Sequence, residues 1–292
     1  MSIKIFLYHY KNLPILIRSV ANEILINIKK GEKEFKVSLD LGLTFNILRN
    51  IGDRIYSEGG LSFPLNKIEE IVLYGKDDYI YIIERDEIKP LAGFEGGNFY
   101  KLRNVGLHAP TIEINGIHMH RIKGILPWED ARKKVQVLKL KRNDKVLDIG
   151  TGLGYTAIHA FFKKVRKVVS IEKDPVILRY AEYNPWSKWL ENVNIIIGDA
   201  VKVLDKLEPY YFNKIIHDPP TFSISEELYS LDFYNMLHNL LPKRGTILHY
   251  VGYPSYVSKR KKIVENIISR CKKAGFTVKV LPEIFSILLY KS

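Results

Sequence analysis

The sequence predicts an α/β protein, a doubly wound sheet of seven strands preceded by a smaller, mostly β N-terminal domain. Three observations carry this. From about Lys145 onward, short apolar runs alternate with helical stretches. The first of those runs ends in a glycine turn, Gly150-Thr151-Gly152-Leu153-Gly154. Before residue 105 the texture is instead period-two alternation broken by glycine-containing turns. Strands that alternate with helices imply a mostly parallel sheet covered on both faces.

The seven runs are Lys145–Ile149, Lys167–Ile171, Val193–Ile197, Lys214–His217, Thr246–Val251, Thr277–Leu281 and Ser286–Tyr290. Helical stretches between them include Tyr155–Lys164, Glu226–Leu241 and Tyr256–Ala274. The last two runs lie close together, which suits one antiparallel edge strand. In the N-terminal part, residues 18–45 read as a β-hairpin around Lys29-Lys30-Gly31-Glu32-Lys33. Ile68–Tyr74 and Tyr79–Glu84 read as a second strand pair, and Thr44–Ile51 as a short helix. Met1–Tyr10 lacks a small-residue cleavage site and reads as a strand rather than a signal peptide. The expected division is an accessory domain over 1–105, a connecting segment over 106–143 with a helix at Trp128–Leu140, and the catalytic domain over 144–292.

Composition narrows the class. The 292 residues are 46% hydrophobic and 26% charged, ordinary for a globular chain with a sizeable core. No segment approaches the roughly eighteen apolar residues that a membrane span needs. A single cysteine, Cys271, excludes an internal disulfide framework and a cysteine metal cluster. The expectation is a cytoplasmic protein without membrane or metal. The net charge of +13 is unevenly spread. Residues 1–110 hold 15 basic and 14 acidic side chains, leaving 30 and 18 in the remainder. A Lys- and Ile-rich heat-loving proteome would explain the lysines, and Gln136 is the only glutamine. An excess confined to one domain favours a polyanionic partner, because Lys and Arg neutralise phosphates.

The chemistry is read from four strand ends. Val146-Leu147-Asp148-Ile149 runs into Gly150, Thr151, Gly152 and Gly154, and a helix follows at Tyr155. Glycines at such a turn let the backbone approach a ligand and aim helix N–H groups at it. The dinucleotide fingerprint G-x-G-x-x-G fails, because position 155 is Tyr. The next run ends in Glu172-Lys173, where an acid about twenty residues past the glycines accepts from both ribose hydroxyls. The third ends in Gly198-Asp199-Ala200. Asp199 on its own can serve as a helix N-cap. Glycine turn and acids together resemble the Class I S-adenosylmethionine-dependent methyltransferases over about 144–292. That resemblance implies a Rossmann-like fold, S-adenosyl-L-methionine as cofactor, Asp148 beneath the cofactor's aminoacyl end and Asp199 near the adenine amino group.

The fourth strand end, His217-Asp218-Pro219-Pro220-Thr221-Phe222, resembles the Asp/Asn-Pro-Pro-aromatic motif of methyltransferases that act on exocyclic amines of bases. Such an amine is a poor nucleophile, because its lone pair is delocalised into the ring. A carboxylate and the first proline's carbonyl can accept both N–H bonds and favour a pyramidal nitrogen. Each proline fixes its own φ, and the first also restrains Asp218. Phe222 then offers a ring for a base to stack on, one position later than usual, with Thr221 in the customary place. Asp-Pro-Pro-Thr-Phe-Ser also looks like a variant in ribosomal RNA base methyltransferases that modify a ring nitrogen.

Met119-His120-Arg121-Ile122-Lys123-Gly124 with Pro127-Trp128-Glu129-Asp130 resembles archaeal methyltransferases that carry an N-terminal β-domain. Within that resemblance, His120, Arg121 and Lys123 line the substrate entrance; domain-junction packing is the plain alternative. His118 and His120 lack a matching third metal ligand. The runs Arg132-Lys133-Lys134, Lys139-Lys141-Arg142 and Lys259-Arg260-Lys261-Lys262 read as solvated helix faces, or as phosphate contacts if they meet near Asp218. Cys271 sits mid-helix without a preceding proline, which argues against a covalent C5 mechanism.

The expected activity is base N-methylation of ribosomal or transfer RNA, with cytosine N4 favoured and a homodimer through the N-terminal domain as an option. The leading rival on the same fold is an aminopropyltransferase of the spermidine-synthase type. Its Gly-Gly-Gly-Asp-Gly-Gly loop is missing here, and a polyamine would favour an acidic cleft. A small-molecule methyltransferase and a non-catalytic RNA-binding subunit rank behind these two.

Overall fold

The computed structural model describes residues 3–220, 225–252 and 258–292, with the side chains of 258–260 left aside. The chain divides into two compact units. One comprises residues 1–8, 129–178 and 189–292, the other 9–128 and 179–188.

The larger unit is built on a single eight-stranded sheet. Its strands are β1 (Lys4–Phe6), β2 (Lys145–Ile149), β3 (Lys167–Glu172), β4 (Asn194–Ile197), β5 (Lys214–His217), β6 (Thr246–Tyr250), β7 (Phe276–Leu281) and β8 (Ser286–Lys291). Their spatial order is β1-β4-β3-β2-β5-β6-β8-β7. Strands β4, β3, β2, β5 and β6 run parallel, with Asp148 opposite Ser170 on one side and Ile216 on the other. These central strands are apolar throughout because both of their faces are covered. Leu147, Ile149, Ile171, Ile215, Ile247 and Leu289 are all buried in one core.

Two details correct the seven-strand expectation. An eighth strand exists because Lys4–Phe6 pairs antiparallel with β4 and covers its edge. Of the last two runs, the antiparallel one is not at the edge: β8 lies between β6 and β7 and opposes both. The reason is side-chain pattern. Ser286-Ile287-Leu288-Leu289 is buried without a break, whereas Thr277, Lys279 and Val280 are exposed, as suits an edge strand.

Helices α1 (Pro127–Val137), α2 (Tyr155–Phe162), α3 (Pro175–Ala181), α4 (Ala200–Leu204), α5 (Leu231–Leu240) and α6 (Ser258–Lys273) fill the connections. α5 shows how the sequence sets one of them. Ser230 accepts from the Phe233 N–H at 3.1 Å as N-cap, and Asp232 sits in the first turn. Phe233, Tyr234, Leu237 and Leu240 form the buried stripe, each stabilising by about 1.5–3 kcal/mol on burial.

The smaller unit is β-rich but carries two helices where strands were expected. Residues Arg18–Lys29 are helical, with Val20, Ala21 and Ile24 buried at helical spacing, so the hairpin over 18–45 is wrong. Leu65–Tyr74 is a helix burying Ile68 and Ile71, not a strand. Conversely, Asn46–Ile51 is a strand rather than a helix. In the two helices β-branched composition favoured a strand and the buried spacing, set by tertiary packing, decided for a helix. Three small antiparallel sheets of four, three and four strands complete this unit. Among the described residues no helix is long and apolar enough to cross a membrane.

Candidate active site

The site lies at the carboxyl ends of the parallel strands, where ligands of doubly wound sheets bind. β2 turns into the glycine loop, held down by the Gly150 and Thr151 N–H groups on the Ile171 carbonyl at 3.0 and 3.1 Å. The three glycines do different work. All have positive φ, at 94°, 54° and 82° for Gly150, Gly152 and Gly154. A Cβ on Gly150 would stand 2.8 Å from the Asp218 carbonyl oxygen, so glycine lets the two strand-end loops touch. A Cβ on Gly154 would stand 2.5 Å from buried Leu190. A Cβ on Gly152 would meet nothing within 4 Å, which leaves that face open to a ligand.

Asp148 is fully buried behind this loop and accepts from Thr156 at 2.8 Å and Ser170 at 2.6 Å. Burial pushes its carboxyl up to about 7, against the effect of those two hydroxyls. Thr151 and Tyr155 are likewise buried, at 3% and 2% exposure. These three residues therefore shape the loop from behind. Glu172 accepts from the Gly152 N–H at 2.8 Å and the Asp174 N–H at 2.9 Å, which aims its carboxylate across the glycine turn. Burial raises its proton affinity, partly offset by those N–H donors. Asp199 caps α4 by accepting from Val201 at 3.0 Å. It also pairs with Lys173 at 2.7 Å, and Lys173 reaches Glu227 at 3.6 Å. Burial would raise the Asp199 carboxyl, but the Lys173 contact outweighs it and the net direction is down.

Gly150, Glu172, Lys173, Asp199, Ala200, Pro219 and Pro220 line one cleft, joined by Ile149, Ile171, Glu227 and Leu228. An adenosyl group suits this lining: apolar Ile149, Ile171 and Ala200, a carboxylate at one strand end and an acid at the next.

Asp218 follows β5, its N–H donating to the Ile149 carbonyl at 3.2 Å. Lys134 Nζ donates to both of its carboxylate oxygens, at 3.0 and 2.8 Å. Lys134 also meets Asp130 at 3.2 Å and lies 4.2 Å from the centre of the Tyr250 ring. Burial would lower the Lys134 ammonium's affinity for its proton, but Asp218 and Asp130 hold it above the ordinary lysine range. Lys134 is thus no solvated cation, which corrects the reading of Arg132-Lys133-Lys134 as a solvated face. Its signal was present: Asp130, Ala131, Lys134, Val135 and Leu138 share one helical face, and all are buried. The Tyr229 hydroxyl donates to the Pro220 carbonyl at 2.7 Å and steadies the second proline. Thr221 and Phe222 lie outside the described residues.

His120, Arg121 and Lys123 belong to the other unit. There His120 Nδ1 is 3.0 Å from Thr111 Oγ1, while His118 is 3.0 Å from Glu113. Among the described residues no group of three or more His, Cys, Asp or Glu side chains is set to hold a metal. Cys271 is buried, and burial pushes its thiol up to about 12.

Two buried histidines stack behind Asp218, His217 on His249 with ring centres 4.4 Å apart. Burial holds both below the ordinary histidine range. The unfolded chain protonates them near 6.5, so their contribution to stability is complete above that pH and is lost on acidification. Asp148 acts oppositely: the fold keeps its proton where the unfolded chain has lost it, so its contribution declines as pH rises from about 4 towards 7. Glu172, whose carboxyl burial also raises, opposes the histidines in the same sense. Between pH 6.5 and 5 the urea midpoint should therefore move further down in Asp148→Asn, where one opposing proton is absent, than in wild type. Equal slopes in the two proteins would contradict this assignment.

Comparison with known proteins places this site on a methyltransferase-type fold. The model of the protein-L-isoaspartate(D-aspartate) O-methyltransferase family matches residues 130–226. A solved spermidine synthase bound to the transition-state analogue AdoDATO shares the fold, with TM-score 0.57 and 18% identity, covering 69% of this chain and 73% of that one. The chain belongs to the same family as protein MJ1233 of Methanocaldococcus jannaschii, with 36% identity over 282 residues, 94% of this chain and 92% of that one. Shorter similarities run to the polyamine aminopropyltransferase of Sulfolobus acidocaldarius, 31% over 41% of this chain and 42% of that one. A probable ribosomal RNA small subunit methyltransferase A of Methanosarcina barkeri is 40% identical over 32% of this chain and 30% of that one.

Proposed function

We propose that this protein is an S-adenosylmethionine-dependent N-methyltransferase whose substrate is a base of ribosomal or transfer RNA, with cytosine N4 the favoured atom. One observation carries the reading: Asp218-Pro219-Pro220 leaves β5 in backbone contact with the glycine loop and both prolines line the cleft, which would set the motif beside a cofactor bound there. Glu172 would hold the ribose hydroxyls, Asp199 the adenine amino group, and the Gly152 face the aminoacyl end. The cofactor supplies an electrophilic methyl group on sulfur.

The protein's part is chiefly positioning. The Asp218 carboxylate and the Pro219 carbonyl accept the two N–H bonds of a planar amine and draw its lone pair out of the ring. As the nitrogen–methyl bond forms and the sulfur–methyl bond breaks, the amine proton passes to Asp218 or to water. The excess of 30 basic over 18 acidic residues after position 110 suits a phosphate-bearing substrate.

Similarity to aminopropyltransferases keeps a second reading, transfer of an aminopropyl group to a polyamine. Side-by-side assays separate the two: methyl-labelled S-adenosylmethionine with RNA or ribosomal particles, and decarboxylated S-adenosylmethionine with putrescine or spermidine. Label in RNA with no aminopropylated product is expected. The reverse pattern would replace the proposal with its rival.

A further inference from the structure

We infer that Lys134 is a positioning and specificity residue for Asp218, orienting its carboxylate and reserving it for an uncharged N–H donor over a cationic amine. The inference rests on the proposed reading of Asp218 as the acceptor for the substrate nitrogen.

The geometry is that of a built site. Lys134 Nζ lies 3.0 and 2.8 Å from the two oxygens of Asp218, and its side chain is only 7% exposed. Asp130, one turn earlier on α1, holds the ammonium from behind at 3.2 Å, and its side chain is only 5% exposed. The Tyr250 ring covers one side at 4.2 Å. These contacts leave Lys134 no freedom to swing away, and the two-oxygen grip fixes the plane of the carboxylate.

The chemistry follows from lone pairs and charge. Each carboxylate oxygen has two acceptor positions, and Lys134 takes one on each. The remaining positions still suit a neutral amine's N–H groups, as a carboxylate paired with a lysine remains a strong acceptor. A second ammonium on the same carboxylate would instead face Lys134 at close range in a partly desolvated place, where like charges repel strongly. A polyamine enzyme needs its carboxylates free for the substrate's own cations. Here Asp218 already has one. Lys173, between Asp199 and Glu227, does the same for the acids at the cleft's other wall.

The test uses the full chain as wild type, Lys134→Met, Lys134→Arg and the double variant Asp130→Asn/Lys134→Met. The double variant removes the second buried carboxylate, so a folded protein is available even where Lys134→Met alone unfolds. Turnover on RNA should fall about 100-fold in Lys134→Met, the cost of a misplaced catalytic group. KM for S-adenosylmethionine should stay near the wild-type value, and Lys134→Arg should recover much of the loss. By calorimetry, spermidine should bind Lys134→Met or the double variant at least about tenfold more tightly than wild type, one charge pair's worth at close range. Activity falling only with the folded fraction, or unchanged spermidine affinity in the folded variants, would overturn the inference. The binding arm needs no turnover. If wild type methylates no RNA, the functional reading fails, and spermidine affinity alone still decides for or against Lys134.

Discussion

Asp218→Ala should lower methyl transfer to RNA by about 1,000-fold while leaving S-adenosylmethionine affinity within a few-fold, since loss of a preorganised acceptor costs 10²–10³ or more. The argument is geometric. Asp218 is not among the residues that line the cleft, whereas Pro219 and Pro220 beside it are. Its backbone, which touches Gly150 and donates to Ile149, is unchanged by the substitution. What disappears is the oriented carboxylate. Lys134 keeps Asp130 at 3.2 Å, so the fold should survive with a modest loss of stability. Asp218→Asn retains one acceptor oxygen and should sit between the two. Turnover and calorimetric cofactor affinity measured on the same preparations check this. A cofactor affinity that collapses with Asp218→Ala would mean that the residue builds the cofactor cleft and not the acceptor for the substrate nitrogen.

Gly154→Ala should destabilise the larger unit by about 3 kcal/mol, the sum of a left-handed conformation and an overpacked contact. Its φ is 82°, and the new Cβ would stand 2.5 Å from Leu190, which is fully buried. Gly152→Ala makes the instructive contrast. Its φ is 54°, but the Cβ would meet nothing within 4 Å, so the stability cost is only the conformational part, about 1 kcal/mol. The added methyl would project on the open face of the loop, however, and should weaken cofactor binding. Urea unfolding and cofactor titration should therefore rank the two variants in opposite orders. The same order in both measurements would remove the distinction between a packing glycine and a ligand-facing one.

Much of the site was legible because its signals are short-range. Asp148, Glu172, Asp199 and Asp218 each stand at or just past the end of a buried apolar run, and parallel pairing brings such ends together. The helices Arg18–Lys29 and Leu65–Tyr74 were not legible in that way. Their valines and isoleucines favour strands locally, and only packing against the rest of the unit selected the helical period. Pairing of Lys4–Phe6 with residues near 196 was invisible, because a three-residue edge strand carries no mark of a distant partner. Lys134 was masked by two neighbouring basic residues, and its partner Asp218 is 84 positions away. The interior place of β8 was written in its unbroken burial pattern, but the two final runs looked alike until paired.

The most direct measurement of the central claim is nucleoside mass spectrometry of RNA incubated with wild-type protein and methyl-deuterated S-adenosylmethionine, with Asp218→Ala as control. The predicted result is a deuterated methyl on a base exocyclic nitrogen, cytidine first, present with wild type and absent with the variant. Label on a ribose oxygen or a base carbon, or equal label with Asp218→Ala, would contradict the account.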